Sequence, residues 1–327
     1  MTACAIGIDL GGTFIKAGVV NESGKIVTRT SVPTGVSDGA EAVVQRMAEA
    51  ADQVRRDANV AWNGVGAVGI GSPGVLDLKG GTVLISPNLV CLQGTNLRGA
   101  VERSLGVEGL PVVLENDANA AAYGEKWAGA GSDVNTLIMF TLGTGIGGGI
   151  ILDGRIWHGT HGFAGELGHM SIVADGAPCG CGNRGCVEAY ASASAMVRRL
   201  REAIEAGAES SLGKRLDSGE PVEGKHVYEA AVAGDAAAQG IIEETGRFLG
   251  VAATNVIHIF NPELVLFAGG MTGAGDMLLN PIREEAEART FEAAFQRARV
   301  AFAELGNDAG LIGAAGWALR TSETSAS

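Results

Sequence analysis

Apolar residues along this chain fall into two rhythms. Short, almost wholly apolar runs alternate with longer stretches in which apolar residues recur every three or four positions, the alternation of buried strands with amphipathic helices. Residues 5–10 and 14–20 are two such runs on either side of Gly11-Gly12-Thr13, which predicts a hairpin of strand, glycine turn and strand. Residues 39–58 carry Val43, Val44, Met47, Ala51 and Val54 at helical spacing. Residues 65–71 read as a buried strand ending in Ser72-Pro73-Gly74, with a second loop at Ser86-Pro87-Asn88-Leu89. Such polar loops after strands lie at the carboxyl edge of a sheet. A short strand at 112–114 then runs through Glu115-Asn116-Asp117-Ala118-Asn119 into an alanine-rich helix.

The pattern then repeats. Residues 135–142 form a buried strand, 143–149 a second glycine hairpin and 150–152 the returning strand. Two halves of this kind suggest a duplicated fold that clamps a nucleotide. Helices follow at 189–206, with Arg198, Arg199 and Arg201 outward, and at 227–233, 236–260 and 281–294. Residues 208–225 read as loop, and 264–268 and 299–303 as strands. Leu305 to Ala315 open a last helix whose glycines permit close packing against the first domain, and the small polar residues 321–327 are expected to fray.

Composition narrows the classes. A length of 327 residues suggests about two domains, and 46% hydrophobic against 19% charged residues is ample for sizeable cores. A net charge of -13 argues against nucleic acid or an anionic membrane as partner, and disfavours polyphosphate. The N-terminus has no basic flank and runs straight into a strand, so no signal peptide is expected, and no apolar run is long enough for a membrane span. Isolated Cys4 and Cys91, beside a clustered cysteine set, fit a reducing cytoplasm.

The glycine turns are the first candidates for chemistry. Glycines at a hairpin tip let backbone N–H groups approach a phosphate, Thr13 can donate its hydroxyl, and Asp9 can hold Mg2+ through water. The first turn lacks P-loop spacing, and a strand rather than a helix follows it, so it is no dinucleotide fingerprint. One such turn could be an ordinary hairpin; two are far more specific. Gly269-Gly270, after the strand at 264–268, is another place for backbone to approach a ligand, here the adenosine. At Asn116, Asp117 and Asn119 one N-cap would suffice. The remaining polar groups need partners, and an Asp within reach of a hydroxyl can serve as general base.

Residues 165–188 are the densest in chemistry. His169, Cys179, Cys181 and Cys186 lie within eighteen residues, an N/S set of the kind that closes a structural zinc site. Buried cysteines acting as small hydrophobes would suit an apolar run, which is absent, and a disulfide would leave one sulfur over. Glu166 and Glu188 flank a set that is already full. They either orient a ligand or, with the second nitrogen of His169, face a neutral ligand rich in hydroxyls; solvated glutamates are the alternative.

On these residues the chain resembles the sugar kinases of the ROK (repressor, open reading frame, kinase) family, and among them the bacterial glucokinases. Asp9-x-Gly-Gly-Thr13 with Lys16, Glu115-Asn116-Asp117-Ala118-Asn119, Leu142-Gly143-Thr144-Gly145, Gly165-Glu166-x-Gly-His169, Cys179-x-Cys181-Gly-x-x-Gly-Cys186-x-Glu188 and Ala268-Gly269-Gly270 match in order, over essentially the whole length. The resemblance implies an α/β fold of two actin-like, ribonuclease-H-type domains with an interdomain cleft: 1–118 completed by 306–327, and a larger 119–305 bearing the zinc loop. It implies ATP with Mg2+, structural Zn2+, a hexose, and a homodimer or homotetramer. By position, Asp117 would take the proton from the sugar O6 hydroxyl, and Asn88, Asn116, Glu166, His169 and Glu188 would hold other hydroxyls. Gly11, Gly12, Thr13, Thr144 and Gly145 would cradle phosphates with Asp9 and Lys16, and Gly269 and Gly270 would meet the adenosine. The activity implied is phosphorylation of glucose to glucose 6-phosphate, the entry to glycolysis. Kinases for N-acetylmannosamine, mannose or fructose, and a sugar-binding regulator without chemistry, are the alternatives. The family's repressors carry a helix-turn-helix before the first hairpin, and here that strand begins by Ala5.

Overall fold

Two five-stranded sheets and the helices that cover them make up the computed structural model, which describes residues 4–325. The first sheet uses β1 (Cys4–Leu10), β2 (Phe14–Val20), β3 (Ile26–Pro33), β4 (Val65–Ser72) and β7 (Val112–Asn116) in the order β3-β2-β1-β4-β7. Its β3-β2-β1 part is antiparallel, and β1-β4-β7 is parallel. The second uses β8 (Leu137–Leu142), β9 (Ile146–Leu152), β10 (Arg155–Ile156), β11 (Leu264–Ala268) and β12 (Arg299–Phe302) in the order β10-β9-β8-β11-β12. Here β10-β9 is antiparallel and β8-β11-β12 parallel. The same wiring thus occurs twice. A small hairpin, β5 (Val75–Asp77) with β6 (Thr82–Ile85), stands apart.

The chain forms two compact units. One runs to Asn135, resumes over Gly149–Gly165 and takes the segment from Glu304 onward; the other is Thr136–Gly148 with Glu166–Ala303. Helices α1 (Ala40–Asp57), α2 (Leu97–Leu105), α3 (Asp117–Ala128) and α11 (Ala309–Ser325) belong to the first. Helices α4 (Val187–Ala191), α5 (Ala193–Glu205), α6 (Gly213–Asp217), α7 (Gly224–Val232), α8 (Ala236–Phe260), α9 (Asp276–Arg289) and α10 (Glu292–Phe295) belong to the second. The expected boundary at 118/119 would move α3 to the second unit. It stays with the first because it packs along α11.

Strand β1 reads as one apolar run, yet its two faces differ. Ile6, Ile8 and Leu10 point to one side and join Val43, Met47 and Val54 of α1 in a core. Ala5, Gly7 and Asp9 point to the other, as the period of two requires. On that side Ala5 and Val20 pack with Leu311, Ile312 and Ala315 of α11. A Cβ on Gly7 or Gly69 would collide with the Leu311 or Ala314 carbonyl of α11, so glycine sets how near the helix lies to the sheet. In the second unit, Phe140 of β8 and Phe267 of β11 stack with centroids 5.2 Å apart.

Several expectations are corrected. Gly147, Gly148 and Gly149 lie inside β9, not in the turn, so the second turn is Gly143-Thr144-Gly145 alone. The helix expected at 189–206 is two, because Ser192 leaves the first and accepts Ala195 N as cap of α5. Arg199 does not face outward: it is buried and reaches Glu244 and Thr245 of α8. Residues 208–225 contain α6, and the helix expected from Pro281 starts at Asp276 and ends at Arg289. Of the expected frayed tail, residues 321–325 continue α11 and 326–327 lie outside the described residues. No described helix is long and apolar enough to cross a membrane.

Candidate functional site

Parallel pairing collects the marked loops at strand ends. In the first sheet Asp9 lies beside Gly71, and Ser72 beside Asn116, so the first glycine turn, the Ser-Pro-Gly turn and the β7–α3 junction share one edge. In the second, Thr141 lies beside Ala268, so the second glycine turn and Gly269 share one edge. Carboxyl edges of parallel strands are where open α/β sheets bind ligands.

The first turn is self-contained. Gly11 N donates to Phe14 O at 2.9 Å, so that amide already has its acceptor; Gly11 O accepts the Thr34 hydroxyl. Thr13 is exposed at the tip. Gly12 lies against Asn88, where an added Cβ would come within 3.1 Å of the Asn88 carbonyl oxygen. Asn88 itself is exposed. Lys16 Nζ meets Asp9 Oδ2 and Asn307 O, both at 3.2 Å.

At the β7–α3 junction the cap and the acid separate. Asn116 is the N-cap of α3: its Oδ1 accepts Ala118 N and Asn119 N. Such caps contribute about 1 kcal/mol. Asp117 is half-buried in the first turn, with Oδ1 accepting Ala118 N at 2.9 Å. Behind them lies a group the sequence reading did not single out, the buried carboxylate of Glu115. It accepts Asn116 N at 2.9 Å and Asn119 Nδ2 at 3.1 Å, and meets His158 Nε2 at 2.7 Å. No short motif marks His158, which is distant in sequence and which no periodicity or spacing singles out.

The second turn is braced from outside. Gly143 N donates to Gly145 O at 3.0 Å. From α5, Ala193 N donates to Gly143 O and Ser194 Oγ to Thr144 O. From α4, Glu188 Oε2 accepts Ile146 N at 2.8 Å. Gly269 has φ 101° and lies so near the Leu142 carbonyl that no side chain fits; Gly270 follows it at the surface.

His169, Cys179, Cys181 and Cys186 converge, with ligand atoms within 4.8 Å of one another. Cys181 and Cys186 sulfurs are 3.8 Å apart, as are Cys179 Sγ and His169 Nδ1. Ligands about 2.3 Å from a tetrahedral ion lie roughly 3.8 Å from each other, so the spacing fits a metal. It does not fit a disulfide, and all five cysteines are free. The chemistry agrees: burial, with the neighbouring Cys181 and Cys186, pushes the Cys179 thiol up to about 12, and burial also raises Cys186. Crowded thiols resist ionising together unless a cation neutralises them. His169 turns Nδ1 to the sulfurs and Nε2 toward Glu166, 3.9 Å away. Glu188 bridges the cluster and the second turn, with Oε1 3.6 Å from Cys179 Sγ.

A cavity of about 310 Å³ opens beside this turn. Leu142, Gly143 and Thr144 line it together with Gly270 and Met271. Met196, Ile242 and Leu278 supply an apolar wall, and Lys225 and Tyr228 line it from α7. An apolar slot beside a glycine turn suits a flat base joined to phosphates.

Comparison with known proteins agrees with the motifs. The family model described as the ROK family matches residues 5–321. A glucokinase of Halalkalibacterium halodurans is 36% identical over 321 residues, 98% of this chain and 96% of that protein. A glucokinase of Thermotoga maritima is 40% identical over 310 residues, 95% of each. Among solved structures, a ROK family glucokinase from Streptomyces griseus in complex with glucose and AMPPNP superposes with a TM-score of 0.78 at 40% identity, covering 97% of this chain and 99% of that one.

Proposed function

The chain belongs to the ROK family, and from that premise we propose that it is an ATP-dependent glucokinase, transferring the γ-phosphoryl group of ATP to the 6-hydroxyl of glucose. What supports this most is the likeness, over nearly the whole chain, to a glucokinase solved with glucose and an ATP analogue.

Asp117 is the general base. Its carboxylate takes the hydroxyl proton as the sugar oxygen bonds to the γ-phosphorus; the bond from that phosphorus to the bridging oxygen breaks and ADP leaves with the electron pair. Asn116, Glu166, His169 and Glu188 hold the remaining hydroxyls, with Asn88 a further contact. The cavity beside Thr144 and Gly270 takes the adenosine. Gly12, Thr13, Thr144 and Gly145 meet the phosphates, with Lys16 as a cation beside them; Gly11 contributes shape, since its N–H is bonded within the turn. Asp9 would hold Mg2+ through water, and the ion would supply positive charge to offset that on the transferred group. His169, Cys179, Cys181 and Cys186 would hold Zn2+, which would have no chemical role and would fix the loop that carries His169 and Glu188. The protein acts in the cytoplasm as a homo-oligomer.

An ADP-release assay with Mg-ATP and a panel of glucose, mannose, fructose, N-acetylglucosamine and N-acetylmannosamine tests this. Glucose-selective turnover is expected, and turnover confined to an N-acetylated sugar would replace glucose as substrate. Asp117→Asn should stay folded and lose about a thousandfold or more in kcat, within the range for a positioned base; wild-type turnover in that variant would remove Asp117 from its role.

A further inference from the structure

The acid that the mechanism uses is held by one it does not use. Glu115 immediately precedes the Asn116-Asp117 pair, at 1% exposure, and every contact of its carboxylate returns to the junction or to one residue outside it. Oε1 accepts the Asn116 amide and the Asn119 side chain. Asn119 makes no other side-chain bond among the described residues: its Oδ1 is buried without a partner. Oε2 faces His158 Nε2 at 2.7 Å. A carboxylate oxygen that already accepts two N–H donors leaves the other to take the imidazole proton, so Nε2 is the donor.

His158 is itself fixed. Its ring lies 5.9 Å from the Trp317 ring of α11, which in turn meets Tyr123 of α3 edge-on at 5.1 Å. Its carbonyl accepts Ala164 N at 3.1 Å, closing the loop that leads in sequence to Glu166. The ring therefore enters from a separate segment, is oriented by packing, and donates one N–H to the carboxylate behind the junction. Without that donor, Glu115 would be a buried charge with one oxygen unsatisfied, free to rotate off the Asn116 peptide.

We propose that His158 is a positioning residue for phosphoryl transfer: through Glu115 it fixes the Asn116 peptide and the Asn119 amide, and so the aim of the Asp117 carboxylate. This rests on Asp117 being the base. A base displaced by about 1 Å can cost a hundredfold in rate while the sugar still binds.

The test compares His158→Phe, which keeps a ring against Trp317 and lacks the donor, with His158→Gln, whose amide N–H can reach the same oxygen. The readouts are kcat and KM for glucose with Mg-ATP, together with glucose affinity by calorimetry. The Phe variant should lose about ten- to a hundredfold in kcat, with KM and affinity within about threefold, and the Gln variant should return to within about threefold of wild type. A Phe variant with kcat within twofold of wild type, a loss that appears in KM alone, or a loss that Gln does not restore would overturn the proposal. If the Phe variant does not fold, His158→Leu takes its place under the same criteria. Asp117→Asn runs alongside: full turnover there removes the base and this proposal with it, whereas an inactive Asp117→Asn beside an unaffected His158→Phe removes this proposal alone.

Discussion

The two halves share a strand order and differ in what stiffens their loops. In the first, the glycine turn closes on itself through Gly11 and Phe14 and carries the Asp9–Lys16 pair, while the β7–α3 junction is backed by Glu115 and His158. Charge and hydrogen bonds hold that half. In the second, the glycine turn is gripped by Ala193, Ser194 and Glu188, and Glu188 lies two residues past Cys186 of the four-ligand cluster. A duplicated architecture has therefore been braced in two chemically different ways, and the two should fail under different treatments.

The largest separation should come from the metal proposed for the His169–Cys186 cluster. Cys181→Ser, or a strong chelator, should empty the cluster and loosen both His169 and, through Glu188, the Ile146 amide. Since ligand-orienting contacts at metal sites are worth about ten- to a hundredfold, KM should rise about that much for glucose and, because the second turn shifts, by a smaller factor for ATP. A rise for glucose with ATP unchanged would show that the Glu188 bridge carries nothing. Equal kinetics with the zinc content gone, read by metal analysis, would remove the metal from any supporting role.

Sequence patterning reached the second half better than the first for an understandable reason. His169, Cys179, Cys181, Cys186 and Glu188 are close in sequence, so spacing alone suggests their convergence. Asp117 stood out as a candidate because three polar residues lie where one cap suffices, and the structure assigns the cap to Asn116. The Glu115–His158 contact joins residues 43 apart through tertiary packing, and no periodicity encodes that. The fold's plan showed in the two glycine hairpins. Strand β3 escaped notice, since its faces alternate between half-buried and exposed and no apolar run marks it. Arg199 was misplaced because a basic residue reads as surface until its Glu244 and Thr245 partners are known.

Acidity and alkalinity should act on the first half by way of His158. Burial pulls its pKa down, but the Glu115 hydrogen bond and charge outweigh this and raise it above 6.5. A raised folded pKa means that the pair's stabilisation is full below about pH 6.5 and fades as pH rises through the folded value. The gap in Tm between wild type and His158→Gln should therefore narrow from pH 6 to about pH 9. It should do so equally with and without chelator, because the cluster belongs to the other half. A gap independent of pH would mean that the imidazole is neutral throughout and that the contact is an ordinary hydrogen bond.

The smallest effect belongs to Lys16. Its ion pair with Asp9 spans 3.2 Å, but the lysine side chain is 38% exposed and the aspartate 23%. Pairs open to solvent contribute less than about 1 kcal/mol, and salt weakens them further. Lys16→Met should accordingly leave Tm within a degree or two of wild type, since the turn keeps its Gly11–Phe14 and Thr34 bonds. Its effect should instead be on the nucleotide, with KM for ATP raised severalfold and KM for glucose unchanged. A clear loss of Tm without any change for ATP would make the pair a brace for the turn, as Glu188 is for the second, and the contrast between the halves would shrink to the metal alone.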